Sequence, residues 1–307
     1  MSLVLQVVIT GLAAGAGYGL IGTAIALVHR LTGVIHFAIG EIVSLAVFAT
    51  LFVAGAAGSS PDATPGAARL VAATVAGLVV AAVVGAAVYP LGVRPFRRGA
   101  GAVGWVGGMV AVALLLRGVL LAAFPRTSYV LPDPLWLDHL RPVPLGGGAA
   151  IPGRAFALLA VALGLSAVTA WVAARTRFGK ALRAIESDPE GAALVGIPVE
   201  RMRTLAFGFV GALCMVPALV LAPTAPVSVN TGAVLGLKGL AAALLARMAP
   251  GSRVLQAGLA LGVLESAVAS LHLGPLRLGP EYRDIVPLLV VVAVMAVRRQ
   301  GSEGAAA

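Results

Sequence analysis

Polar and apolar positions along this chain alternate on a scale far longer than a helical turn or a strand. Apolar blocks run approximately from Leu3 to Val28, Glu41 to Ala57, Ala67 to Leu91, Val103 to Phe124 and Ala155 to Ala174. Further blocks run from Thr204 to Ala222, Gly236 to Ala249, Val254 to Leu271 and Ile285 to Val297. A helix needs roughly 20 apolar residues to cross the hydrocarbon of a bilayer, so these blocks predict transmembrane helices. The block at Gly236 is short and predicts a re-entrant or broken segment. The expected fold is an all-α integral membrane protein, a polytopic bundle of about 8–9 transmembrane helices. It forms a single transmembrane domain over residues 1–300, followed by a disordered tail over 301–307.

Composition points the same way. The chain has 307 residues, 60% of them hydrophobic, and a mean hydropathy of +1.01. A soluble protein of this length needs far more polar surface. The first block lacks a basic flank before its apolar run and continues to span length, so it reads as a retained helix rather than a signal peptide. One cysteine, Cys214, excludes an intramolecular disulfide. No Gly-rich loop ending in Lys-Ser or Lys-Thr is present, so this chain does not hydrolyse nucleotide through a P-loop. The four His residues, His29, His36, His139 and His272, are scattered, and no HExxH or GxSxG occurs. No cofactor or metal site is therefore expected, and Asp138 beside His139 reads as part of a solvated loop.

Charge adds an orientation. The formal net charge is +10, but in a membrane protein the first question is where the bases fall, so nucleic acid is not an expected partner. With nine crossings and the amino terminus outside, 14 Lys and Arg fall on the cytoplasmic side and 7, Lys238 among them, on the outer side, leaving Arg117 in a span. This bias places the carboxyl terminus and the segment 175–203 in the cytoplasm. The longest outer loop, 125–153, is dominated by turn residues and reads as an irregular extracytoplasmic loop.

The segment Arg175–Arg203 is a charged island with ten charged side chains in a chain that is only 11% charged. Phe178, Leu182 and Ile185 fall on one helical face, with Lys180 and Arg183 on the other. Asp188 followed by Pro189 ends that helix and caps a second, which stops at Gly196 before Pro198. Such a helix pair between spans is either a docking element for a soluble partner or a connector lying on lipid headgroups.

The island's residues Arg177, Phe178, Gly179, Lys180, Ala181, Leu182, Arg183 and Ala184, followed by Asp188, Ala192, Gly196 and Ile197, resemble the cytoplasmic loop of branched-chain amino acid ABC transporter permeases. Thr32 to Glu41 (TGVIHFAIGE) looks like that family's G-x-I-N-F-A-H-G-E, and Arg94 to Arg97 like its R-P-x-R. Gly236 to Leu245 looks like G-x-K-A-F-x-A-A-V-L. Gly262 to Glu265 and Tyr282 to Asp284 match G-x-x-E and Y-K-D. The matches keep the family's order over nearly the whole chain. His36 stands where the family has Asn, Ile39 where it has His, and Leu245-Ala246-Arg247 where it has L-G-G.

The resemblance implies the membrane subunit of an ATP-driven importer in the plasma membrane, with no catalysis of its own. It implies ATPase subunits docked on Phe178, Gly179, Lys180, Ala181, Arg183, Ala184, Asp188, Gly196 and Ile197. It also implies a second permease chain, like or unlike, and an extracytoplasmic solute-binding protein. The cargo class it implies is branched-chain or related amino acids, relatives carrying urea, amides, sugars or nucleosides. An ion-coupled secondary transporter is the rival from another class, expected to show ion ligands at mid-membrane.

Ionisable groups within a bilayer are costly unless paired or wet. Glu41 is expected either to line the pathway or to pair with His36, and Glu265 to hydrogen-bond between helices or touch solute. Arg117 is expected either to snorkel or to find a carboxylate such as Glu265. Leu31 to Glu41, interrupted by Gly33 and Gly40, is expected to be irregular backbone forming part of the path. Tyr18, His36, Phe37, Gly40, Glu41 and Glu265 are thus the candidate pathway residues.

Overall fold

The computed structural model describes residues 2–55, 66–96, 101–124, 128–133, 137, 140–146, 149–224, 226–249 and 251–270, together with 272–273, 276–277, 285, 289 and 293. The tail 301–307, most of the block 285–297, the Tyr282 to Asp284 motif and the pair Asp138–His139 lie outside them.

Helix α1 (Ser2–Thr32) is followed by an irregular stretch and the short α2 (Ile39–Ala54). Helix α3 (Ala67–Val88) continues through a π turn at Tyr89–Val93 into a 3-10 turn at Arg94–Phe96. Pro90 sits in that π turn, where the missing N–H breaks the regular ladder. Next come α4 (Gly101–Ala123) and α5 (Gly153–Arg175). The charged island forms α6 (Arg177–Ser187) and α7 (Pro189–Leu194). The chain then continues with α8 (Val199–Leu221), the short α9 (Thr231–Leu245) and α10 (Ser252–Ser270). Among the described residues, five helices are long and apolar enough to cross a membrane: α1, α3 with its extension, α4, α5 and α8. Helices α2 and α9 are shorter and apolar.

The loop expected to be irregular contains a two-stranded antiparallel hairpin, β1 (Val143–Gly146) with β2 (Ala149–Ile151). A second small hairpin, β3 (His272–Leu273) with β4 (Leu276–Arg277), follows α10. Helix α1 packs against α5, α8, α9 and α10, and so stands at the centre of the bundle.

Close backbone approach sets the register. Along α1, Gly11 lies against Gly262 and Val263, Gly15 against Gly258 and Leu259, and Gly19 against Leu255, so α10 runs antiparallel to α1. A Cβ at Gly11, Gly15, Gly258 or Gly262 would overlap the facing backbone. Small residues are the adhesive here because lipid removes the hydrophobic drive between helices. Gly85 and Gly211 bring α3 and α8 together in the same way.

Candidate functional site

Two features concentrate polar groups: a junction between the short helices α2 and α9, and the helical island. The junction begins with the sequence. Gly33 takes φ of +71°, which ends α1 in a conformation glycine adopts without penalty. Residues 34–38 then run irregularly until α2 starts at Ile39. Within that stretch Ile35 accepts the Phe37 N–H at 3.0 Å. The His36 ring is buried and lies 4.8 Å from that of Phe207 on α8. Phe37 points the other way and is 43% exposed.

Helices α2 and α9 overlap by their amino-terminal turns. Gly40 has no room for a Cβ against Gly232 and Ala233, and Gly236 packs on Gly40 in return. Ser44 seals the crossing: its hydroxyl donates to the Val229 carbonyl at 3.0 Å and accepts from the Gly232 N–H at 3.0 Å. An orphan donor at the start of α9 is thereby satisfied by a neighbouring helix.

Charge gathers beside this crossing. Arg117 of α4 donates to Asn230 Oδ1 at 2.5 Å and approaches Glu41 at 4.0 Å. Glu41 is buried, whereas the Arg117 side chain is 41% exposed. Arg117 lies six residues before the end of α4, which places it about 9 Å inside that end.

A second cluster lies deeper. Lys238 of α9 meets Glu265 of α10 at 2.9 Å, both almost fully buried. The Tyr18 hydroxyl of α1 lies 3.4 Å from each of them, donating to Glu265 and accepting from Lys238. One polar knot thus ties three helices.

These contacts correct three expectations. Arg117 does not meet Glu265; Asn230 and Glu41 surround it instead, and Lys238 takes Glu265. Glu41 pairs with Arg117 rather than with His36, whose ring lies against Phe207. Lys238, expected among the outer-side bases, is a buried residue within α9 paired with Glu265. The candidate pathway residues therefore divide. Phe37, Gly40 and Glu41 lie at the α2–α9 crossing, with His36 behind them, while Tyr18 and Glu265 belong to the enclosed knot. Asn230 and Lys238 were missed; a mid-helix lysine in an apolar block was the available signal for the latter.

The island has the expected helix–break–helix form. Thr176 caps α6 by accepting from the Gly179 N–H at 3.0 Å, and Asp188 caps α7 by accepting from the Glu190 N–H at 3.0 Å. Gly196, at φ +85°, closes α7. Gly179 is required because α6 approaches Val172 and Ala173 of α5 too closely for a side chain. Leu182 and Ile185 are buried, and Phe178 packs edge-on against Phe209 of α8, 6.2 Å between centroids. The apolar face of α6 is thus spent inside the protein. Arg30–Glu186 at 3.1 Å ties α6 to α1, and Arg203 reaches the Leu31 carbonyl at 3.3 Å from the start of α8. Lys180, Arg183 and Asp188 face outward, with Ala181 and Ala184 half-buried. The exposed apolar pair is Leu194 and Val195, 89% and 77% exposed, at the tip of α7. Sequence periodicity did not single them out.

Comparison with known proteins gives this arrangement its place. The family described as "branched-chain amino acid transport system / permease component" matches residues 7–295. The chain is also 24% identical over 303 residues to the high-affinity branched-chain amino acid transport system permease protein BraD of Pseudomonas aeruginosa, covering 98% of this chain and 95% of that protein. The polytopic apolar bundle, its helical charged loop and the whole-length match agree: this multi-pass cell-membrane protein belongs to the family of branched-chain amino acid transport permease components.

Proposed function

We propose that this chain carries branched-chain or related amino acids across the cell membrane as a permease subunit of an ATP-driven importer. In this reading α6 and α7 face the cytoplasm and receive the ATPase. The observation that carries it is the tip of α7. Leu194 and Val195 stand almost fully exposed on a helical loop that is capped at both helix starts and tied to α1 and α8. Two aliphatic side chains held rigidly in water favour insertion into a partner's pocket. A loop so tethered passes a push at its tip to α1 and α8 as rigid-body motion rather than absorbing it.

The cargo path in this proposal runs along Phe37, Gly40, Glu41, Arg117 and Asn230. A guanidinium left 41% exposed within a span is costly against lipid and inexpensive in a wet passage. Arg117 and Glu41, 4.0 Å apart, offer opposite charges to the two ends of a zwitterion. His36 holds the segment from behind, and Tyr18 and Glu265 hold α1, α9 and α10 around it. The solute-binding protein and a second permease chain follow from the family reading.

The test is co-purification of an ABC ATPase subunit with the tagged permease from its own host. Leu194→Asp with Val195→Asp removes capture while the permease still elutes as a folded species. Capture unchanged by both substitutions overturns the docking assignment.

A further inference from the structure

We infer that the cavity behind the coupling helix α6 binds one acyl chain of an anionic phospholipid, with the phosphodiester held at Arg183 and Arg30. This places a lipid against the element proposed to receive the ATPase. It rests on the orientation proposed above only in naming the leaflet as the cytoplasmic one.

The cavity measures about 530 Å³ and lies between α1, α5, α8 and α10, with α6 as its floor. Its α5 wall is made of small residues, among them Ala167 and Ala170, and this is why the space exists. Opposite them stand Leu27, Leu213 and Leu255. From Ser166 to the end of α5 at Arg175 is nine residues, so the cavity rises about 14 Å from the loop end of the bundle. That depth is close to half of a ~30 Å hydrocarbon core, the reach of a chain from one leaflet. Thr23, Ser166, Thr169 and Ser252 add hydroxyls to a lining that is otherwise mostly apolar between the charged rim and α8, and an unfilled void there forfeits dispersion contacts from every apolar group on its walls. An acyl chain already at that depth restores those contacts and loses no hydrophobic stabilisation by moving in from the bilayer.

The rim selects the headgroup. Arg30, Arg183 and Glu186 line it. Glu186 meets Arg30 at 3.1 Å, and one Arg183 nitrogen donates to the Ala174 carbonyl at 3.3 Å. Two guanidiniums against one carboxylate leave a single positive charge, which matches one phosphodiester. The guanidinium fork suits phosphate oxygens, and basic pockets between helices on the cytoplasmic side are a known mode of lipid recognition.

Full-length permease, purified in a mild detergent after equilibration in bilayers of equal phosphatidylglycerol and phosphatidylcholine, is examined by native mass spectrometry. Wild type retains one phosphatidylglycerol in preference to phosphatidylcholine. Arg183→Gln lowers that preference several-fold, because one of the two guanidiniums that hold the phosphodiester is lost. Ala170→Leu, which narrows the cavity, lowers retention of both lipids alike. The milder Ala167→Val, expected to fold where Ala170→Leu does not, lowers it in the same way but less. Retention without headgroup preference in wild type, or preference unchanged in Arg183→Gln, overturns the proposal. Retention unchanged in a folded cavity-narrowing variant also overturns it, and indicates lipid bound elsewhere or another segment seated in the cavity. No transport is measured, so this result stands apart from the outcome of the ATPase capture.

Discussion

Replacing Glu265 by Leu leaves a side chain of similar length and removes the carboxylate that meets Lys238 at 2.9 Å. Both side chains are enclosed, 7% and 1% exposed, so water does not take over when the pair is broken. Removing one partner of a buried ion pair costs about 3–5 kcal/mol, because the other charge stays desolvated. Lys238→Met does the same from the other side. The Tyr18 contacts, at 3.4 Å each, are long and contribute little compensation. Replacing both charges at once is different. Lys238→Met with Glu265→Leu removes both charges together and leaves the Tyr18 hydroxyl to be accommodated, a cost of about 1–2 kcal/mol. The double variant is therefore more stable than either single one, with a coupling of at least about 4 kcal/mol. The assay is the fraction of permease remaining monodisperse in detergent after graded heating. If the double variant falls by the sum of the two single losses, the ion pair does not hold α9 to α10 in the way the geometry states.

Gly262→Val sets two methyl groups against the backbone of Gly11 and Gly15 and is expected to separate α1 from α10, with loss of folded protein on gel filtration. Gly118→Ala on α4 meets nothing within 4 Å and leaves yield and stability unchanged. At the end of α9, Arg247 and Met248 both hold φ of +54°, and the Met248 N–H reaches back to the Ala243 carbonyl at 2.7 Å. This is the closing turn glycine favours, so Arg247→Gly stabilises the protein by about 1 kcal/mol, read as a higher midpoint in the same heating assay.

The bundle and the island were legible in sequence because both are written in local signals. Span-length apolar blocks, Asp188 before Pro189, and Gly196 before Pro198 need no tertiary partner to be understood. The charge partners were not legible. Arg117 and Glu265 both stand in apolar sequence blocks, and nothing local tells which of several opposite charges each one meets; only the crossing of α2 and α9 brings Asn230 and Glu41 to Arg117. Lys238 was misread because a single lysine beside glycines looks like a loop residue until α9 is seen to begin at Thr231. The helix face of α6 was read correctly, yet its role changed. Periodicity identifies an apolar face without saying whether it turns inward, and Leu182 and Ile185 turn inward. The departure from L-G-G at Leu245-Ala246-Arg247 acquires a physical meaning only with its backbone angles, since Arg247 occupies a conformation suited to glycine.

The most direct test is leucine accumulation by right-side-out membrane vesicles loaded with ATP, in which this chain supplies the permease together with the ATPase subunits and external solute-binding protein proposed for it. The account predicts accumulation that follows ATP on the cytoplasmic face, survives collapse of the proton and sodium gradients, and disappears in Leu194→Asp. Leucine uptake that persists without ATP and stops when the ion gradients collapse, or that is indifferent to Leu194→Asp, contradicts it.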